Sequence, residues 1–121
     1  MSNGLYVTPL VPKRFADMLP NPNEKDVTGD EAIAYVHWSA KGDVWDMNDI
    51  CWDWFATGYD PDTGAYHGLA CGFDCEPGSW TIEQFENVNE LFGADIIDLD
   101  TSWVPMSLVA VREMYYPVLR G

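Results

Sequence analysis

Residues 81–93 read TIEQFENVNELFG, and the fold is decided there. Thr81 offers a side-chain oxygen at an N-cap position, Gln84 stands three residues on where a capping box needs it, and Gly93 supplies the stop. Between them Ile82, Phe85, Val88, Leu91 and Phe92 recur at helical spacing and make one apolar face. The pattern predicts a helix from Ile82 to Phe92, packed by that face. Glu83, Glu86 and Glu90 fall at i, i+3 and i+7, opposite Phe85 and Phe92, with carboxylates about 5 Å apart along the axis.

Toward the C-terminus, residues 95–100 predict a strand carried by Ile96, Ile97 and Leu99. Pro105 in a first turn and Pro117 just beyond bracket a helix over 104–116. Toward the N-terminus, Asp60-Pro61-Asp62-Thr63-Gly64 combines a preset φ, Asx-type side chains and a glycine, and predicts a turn joining two strands. Residues 48–57 fit a short helix capped by Asn48 and stopped by Gly58, yet Ile50, Trp52 and Trp54 alternating with Cys51 and Asp53 also fit a strand.

Further upstream, Thr28 and Glu31 form a second capping box and Gly42 a second stop, which predicts a helix over 29–41. Ile33, Tyr35, Val36, His37 and Trp38 are β-prone and pull the other way. Residues 5–10 read as an extended piece ended by proline, and 11–18 as one or two helical turns. The Leu19-Pro20-Asn21-Pro22-Asn23 run sets an N-terminal arm, 1–23, apart from the body. The sum is a small α+β single domain over 1–121, about three helices packed on a small, mostly antiparallel sheet.

Its 121 residues suit one core, and 47% hydrophobic content argues against reading the acidity as disorder. No apolar run of signal or membrane-spanning length occurs, so the expected location is the cytosol of a host cell. Three cysteines, Cys51, Cys71 and Cys75, are an odd number and are expected to be free thiols in a reducing compartment. A net charge of -14 repels phosphate and anionic lipid, which disfavours direct binding of nucleic acid or membrane.

The charge is zoned. No Lys or Arg occurs between Gly42 and Val111, whereas Asp43, Asp46, Asp49, Asp53, Asp60, Asp62, Asp74, Glu76, Glu83, Glu86, Glu90, Asp95, Asp98 and Asp100 all do. The acids outside that stretch (Asp17, Glu24, Asp26, Asp30, Glu31, Glu113) balance Lys13, Arg14, Lys25, Lys41, Arg112 and Arg120. An ordinary surface mixes signs, and an ordinary helix sets Lys or Arg at i+4 to its Glu residues. Solubility or adaptation to high salt would explain acidity in bulk. High-salt adaptation would not explain its confinement to one stretch, nor six tryptophans.

Asp43, Asp46, Asp49 and Asp53 are interleaved with Trp45, Met47, Trp52, Trp54 and Phe55. Carboxylates steer a basic partner and aromatic anchors hold it, although some of these rings must also serve the core. The expected partner-binding residues are Asp43, Asp46, Asp49, Asp53, Trp52, Trp54, Glu83, Glu86, Glu90, Asp95, Asp98 and Asp100.

Three other chemistries are weaker. His67, Cys71 and Cys75 run H-x3-C-x3-C with Cys51 as a possible fourth zinc ligand, but the spacing is looser than a zinc ribbon's and no metal or cofactor is expected. Asp60 with Asp62, and Asp98 with Asp100, lack the loop of a calcium site. His37 or His67 beside a carboxylate, or a cysteine nucleophile, could serve an enzyme, yet no catalytic motif accompanies them and no enzyme is expected.

The expected function is therefore an acidic inhibitor that occupies a basic protein surface, the groove of a nucleic-acid-binding protein or complex, by mimicking DNA. Size, acidity and compactness are similar in kind to phage and plasmid inhibitors of restriction and CRISPR systems. That analogy is one of physical character, carried by no family motif. The alternatives are an acidic assembly or partner-binding subunit without mimicry, and a small charge-adapted enzyme.

Overall fold

The computed structural model describes residues 10–40, 52–72, 75–93 and 96–115. At its centre five antiparallel strands lie in the order β5-β4-β3-β2-β6: β2 is Val36–Ala40, β3 Trp52–Asp60, β4 Ala65–Cys71, β5 Cys75–Trp80 and β6 Ile97–Leu99. A second, two-stranded antiparallel sheet pairs β1 (Ile33–Ala34) with β7 (Met106–Ser107). Helices α1 (Lys13–Ala16), α2 (Ile82–Phe92) and α3 (Leu108–Tyr115) complete the described elements. Mixed helix and antiparallel sheet agree with the α+β expectation, with strands the larger share.

Strand alternation sorts the core into two layers. On one face of the sheet Val36, Trp38, Ala40, Tyr66 and Trp80 pack against Ile82 and Phe85 of α2 and against Val11 and Phe15. On the other, Phe55, Leu69 and Cys71 meet Trp103 and the Leu108 and Val111 side chains of α3. Phe55 and Leu69 lose all exposure, and burials of this kind stabilise by about 2 kcal/mol each. The Trp38 indole donates to the Leu10 carbonyl at 2.7 Å, so the segment entering α1 is bonded to the main core.

The helix expected over 29–41 is instead the end of a turn followed by β1 and β2. Thr28 does not cap it, because its N–H and hydroxyl both bond Asp26 Oδ1. β2 lies between β3 and β6, and Val36, His37 and Trp38 are all buried, so the β-prone run is covered on both faces. Such a strand loses the polar alternation that marks strands in sequence. Of the ambiguous 48–57 segment, Trp52 onward is strand; Asn48 and Cys51 lie outside the described residues. Gly58 does not stop a helix but sits at a β-bulge, where the Pro20 carbonyl and Val27 come within 3.0 Å of the position a Cβ would take.

The expected helix at 104–116 begins four residues late, at Leu108. Pro105 precedes β7 rather than opening the helix, and the first helical N–H groups, of Leu108 and Val109, donate to the carbonyls of Ala32 and Asp30. That helix start is set by tertiary partners. The Asp60–Gly64 turn does join β3 to β4, with Gly64 at φ 78.

Helix α2 follows its sequence closely. Thr81 and Gln84 form the reciprocal capping box, and Gly93 ends the helix in the left-handed region at φ 69. Among the described side chains of that face one departs from the pattern: Leu91 is 79% exposed. The last turns face the sheet through Asn89, whose side-chain amide bonds both N–H and C=O of Ile97. Two residues on, at about 200° around the axis, Leu91 points outward.

Gly68 marks the tightest approach in the sheet, because a Cβ there would lie 1.9 Å from the Phe55 carbonyl oxygen. Its cross-strand partner Gly78 has open space, the nearest atom being Ala70 Cβ at 3.9 Å. Gly68→Ala is expected to cost about 3 kcal/mol or more in urea unfolding, and Gly78→Ala under about 1 kcal/mol. Equal costs at the two positions would contradict this packing.

Candidate functional site

The acidic residues separate into two groups on opposite sides of the sheet. Asp53, Asp98 and Asp100 belong to the α3 side: Asp53 and Asp98 both pair with Ser39 across β2, and Asp100 follows β6 with its N–H on the His37 carbonyl. Glu83, Glu86 and Glu90 belong to α2, which covers the other face. Asp43, Asp46, Asp49, Asp95, Trp45 and Met47 lie outside the described residues, and of Trp52 only the backbone is described.

Two of the carboxylates are turned inward. His37 Nδ1 lies 2.8 Å from Asp100 Oδ2 and Nε2 lies 2.8 Å from Asp53 Oδ1. The residue is 5% exposed, its ring stacked on Phe55 with centroids 4.5 Å apart and planes 4° apart, with Trp103 beside it. An oxygen acceptor on each nitrogen uses both hydrogen-bonding sites of the ring. The two contacts are satisfied together by two N–H donors, or by one if a carboxyl keeps its proton. The bridge ties β2 to β3 and to the chain after β6.

Burial pushes the Asp100 carboxyl up, but hydrogen bonds from His37 and from the Ser102 hydroxyl and N–H, with the charge of His37, outweigh it and hold the group below the ordinary carboxylate value. The histidine–carboxylate proximity considered for an enzyme is thus realised at His37. Ser102, the nearby hydroxyl, bonds Asp100 at 2.8 Å.

His67 is elsewhere, in a cavity of about 290 Å³ with Arg112, Ser79 and Thr28. Cys71 lies four residues farther along β4, roughly 13 Å at strand rise, too far to share a tetrahedral metal. Cys71 is joined to Cys75 by a disulfide between directly paired positions of β4 and β5, with Cα atoms 4.0 Å apart. This corrects the expectation of free thiols and removes both sulfurs from the zinc reading. Among the described residues no three His, Cys, Asp or Glu side chains are placed to hold a metal ion. The spacing in sequence could not reveal the bond, because the odd cysteine count pointed away from it.

The tryptophans whose side chains are described belong mostly to the core. Trp38, Trp80 and Trp103 are buried, and Trp54 is half-buried against Phe85 of α2, ring centroids 4.9 Å apart.

On the α2 side, Glu83 and Glu90 are exposed and Glu86 is half-buried. The β3–β4 turn comes up beside the start of α2, so that Thr63 and Gly64 share a concave surface with Glu83 and Glu86. Asp60 and Asp62 of that turn, assigned by sequence a turning role, are half-buried and exposed respectively. They keep that role, since Asp60 Oδ1 accepts the Asp62 N–H. Among the described residues the ion pairs made by Lys or Arg are Lys13–Asp17 and Arg112–Asp30, none of whose members lies between Gly42 and Val111.

Asp100 leads to a pH prediction. A carboxyl held low in the fold contributes stability above its unfolded value, near pH 4, and that contribution is lost as pH falls through the folded value. Asp100→Asn is expected to flatten the fall in urea midpoint between about pH 5 and about pH 2. Superimposable slopes for the two proteins would show that the bridge does not hold the Asp100 proton off. No protein-family model, curated protein or solved structure matches the chain.

Proposed function

We propose that the protein is a non-enzymatic acidic binding protein that occupies a basic protein surface, acting as a DNA mimic that fills the nucleic-acid groove of a restriction- or CRISPR-type defence complex. The observation that carries this reading is the outward acidic surface made by α2 and the β3–β4 turn. Glu83, Glu90 and Asp62 are exposed there, in a stretch of chain that holds no Lys or Arg.

The physical argument is one of unspent attraction. Interspersed cations would lower the self-repulsion of these carboxylates at no cost to the fold, and the sequence places none between Gly42 and Val111. A groove lined with Lys and Arg supplies the missing charge, raises the association rate and favours register over a rigid helix. Two carboxylates turned toward His37 shorten the acidic surface available to a partner, and this favours the second reading, an acidic partner-binding subunit that does not reproduce the length of a DNA strand.

One experiment separates them. The immobilised protein is expected to capture a nucleic-acid-binding protein from lysate of its source cells, to release it as salt rises, and to release it to added duplex DNA. The triple variant Glu83→Lys, Glu86→Lys, Glu90→Lys, folded by circular dichroism, is expected to capture none. Release by salt but not by DNA would favour the second reading. Undiminished capture by the triple variant would remove the α2 surface from the function.

A further inference from the structure

The last turn of α2 holds, side by side, two residues that the isolated helix does not favour. Glu90 sets a carboxylate near the negative end of the helix dipole, where a cation would be stabilising, and that turn has no Lys or Arg. Leu91 is 79% exposed, more than Met18, Val104 or Met114, the other large apolar side chains exposed among the described residues. Lysine, arginine or glutamine at either position would propagate the helix about as well and would leave neither defect. Adjacent departures from local preference are the pattern of a surface shaped for contact.

The neighbours of Leu91 on the helix are polar. At 100° per residue Glu83, Asn87, Glu90 and Leu91 fall within about 100° of the circumference, with Gln84 at the margin, and all five are exposed. Asn87 stands one turn before Leu91 and Glu83 one turn before Asn87, so one apolar side chain is rimmed by amides and carboxylates. A lone exposed leucine is ordinary on a soluble surface. This one shares its turn with a carboxylate set against the dipole, on a helix whose ends are fixed by a capping box and a left-handed glycine. An apolar residue inside a polar rim on a rigid element is the layout of an interface anchor.

We propose that the outward face of α2 docks on an apolar seam flanked by Arg or Lys on the basic partner, with Leu91 as its anchor. Leu91 enters the seam, and Glu83 and Glu90 meet the flanking cations. Charge complementarity selects this occupant. The chain holds no Lys or Arg between Gly42 and Val111, so a purely apolar partner would desolvate Glu83 and Glu90 without supplying a cation, and an anionic one would repel them. Carboxylates set the encounter, and burial of Leu91 sets the lifetime of the complex. The anchor rests on the reading of an acidic protein that docks on a basic surface, and it names the residue that holds the partner once charge has brought it there.

The test uses the whole protein and two peptide probes of equal charge. One is acetyl-LRRLLRRLLRRL-amide, whose helix carries a leucine seam between arginines; the other has alanine for every leucine. Each is titrated into ¹⁵N-labelled protein at low and at raised salt. The leucine peptide is expected to shift the amides of 87–93 and to bind several-fold more tightly than the alanine peptide. Leu91→Ala, at an exposed position where alanine is as good a helix former, is expected to leave the urea midpoint unchanged. It is expected to weaken the leucine peptide by roughly fivefold or more and the alanine peptide by less than about 1.5-fold, at both salt concentrations. Glu90→Gln is expected to weaken both peptides alike, by a factor that shrinks as salt rises.

No binding of the leucine peptide, shifts that bypass 87–93, or equal effects of Leu91→Ala on the two peptides would each overturn the anchor. If both peptides bind with Leu91 indifferent and Glu90 effective, the anchor falls while the docking reading stands. That reading falls separately, on undiminished capture by the triple Lys variant.

Discussion

Like-charge repulsion without a local cation is the condition under which the central sheet has to form. From Gly42 to Val111 the chain has no Lys or Arg, and within that stretch lie β3, β4, β5, α2 and β6, most of the sheet and the helix that covers it. Apolar burial on both faces of the sheet supplies the driving force against this repulsion. One buried polar residue, His37, contributed by β2 just outside the stretch, receives Asp53 and Asp100 on its two ring nitrogens. On α2 and the β3–β4 turn, Glu83, Glu90 and Asp62 are exposed.

That division of labour connects the fold to the proposed function. Acids bonded to His37 join β2, β3 and the segment after β6. Glu83 and Glu90 are exposed on α2, a helix whose ends are fixed by a capping box and a left-handed glycine. A rigid, well-ended helix is a good platform for charge that has to meet a partner in fixed register.

Local signals in the sequence were legible, and tertiary ones were not. The helix at 82–92 was readable to the residue because its caps and apolar spacing are all local, and the Asp60–Gly64 turn for the same reason. The segment 29–41 misled because a strand buried on both faces does not alternate, while Thr28 and Glu31 copied a capping box that the chain does not use. The start of α3 depends on carbonyls of Asp30 and Ala32, more than seventy positions upstream. The His37 bridge joins residues 16 and 63 positions apart in a chain with twenty acids, so no spacing could single out Asp53 and Asp100. Leu91 was misassigned because helix periodicity gives a face but not the point at which the helix leaves the sheet.

The central claim is that the α2 carboxylates serve an outside partner and are a burden to the isolated fold. The direct measurement is the urea midpoint of Glu83→Gln, Glu86→Gln, Glu90→Gln against the unaltered protein at low ionic strength. Removal of like charge from a stretch without Lys or Arg, with relief at Glu90 in the last turn outweighing the loss of Glu83 from the first turn where it favours the helix dipole, is predicted to raise the midpoint, and the gain is predicted to shrink as salt is added. A lower midpoint for the triple variant would mean that these carboxylates hold the fold together, and would contradict the account.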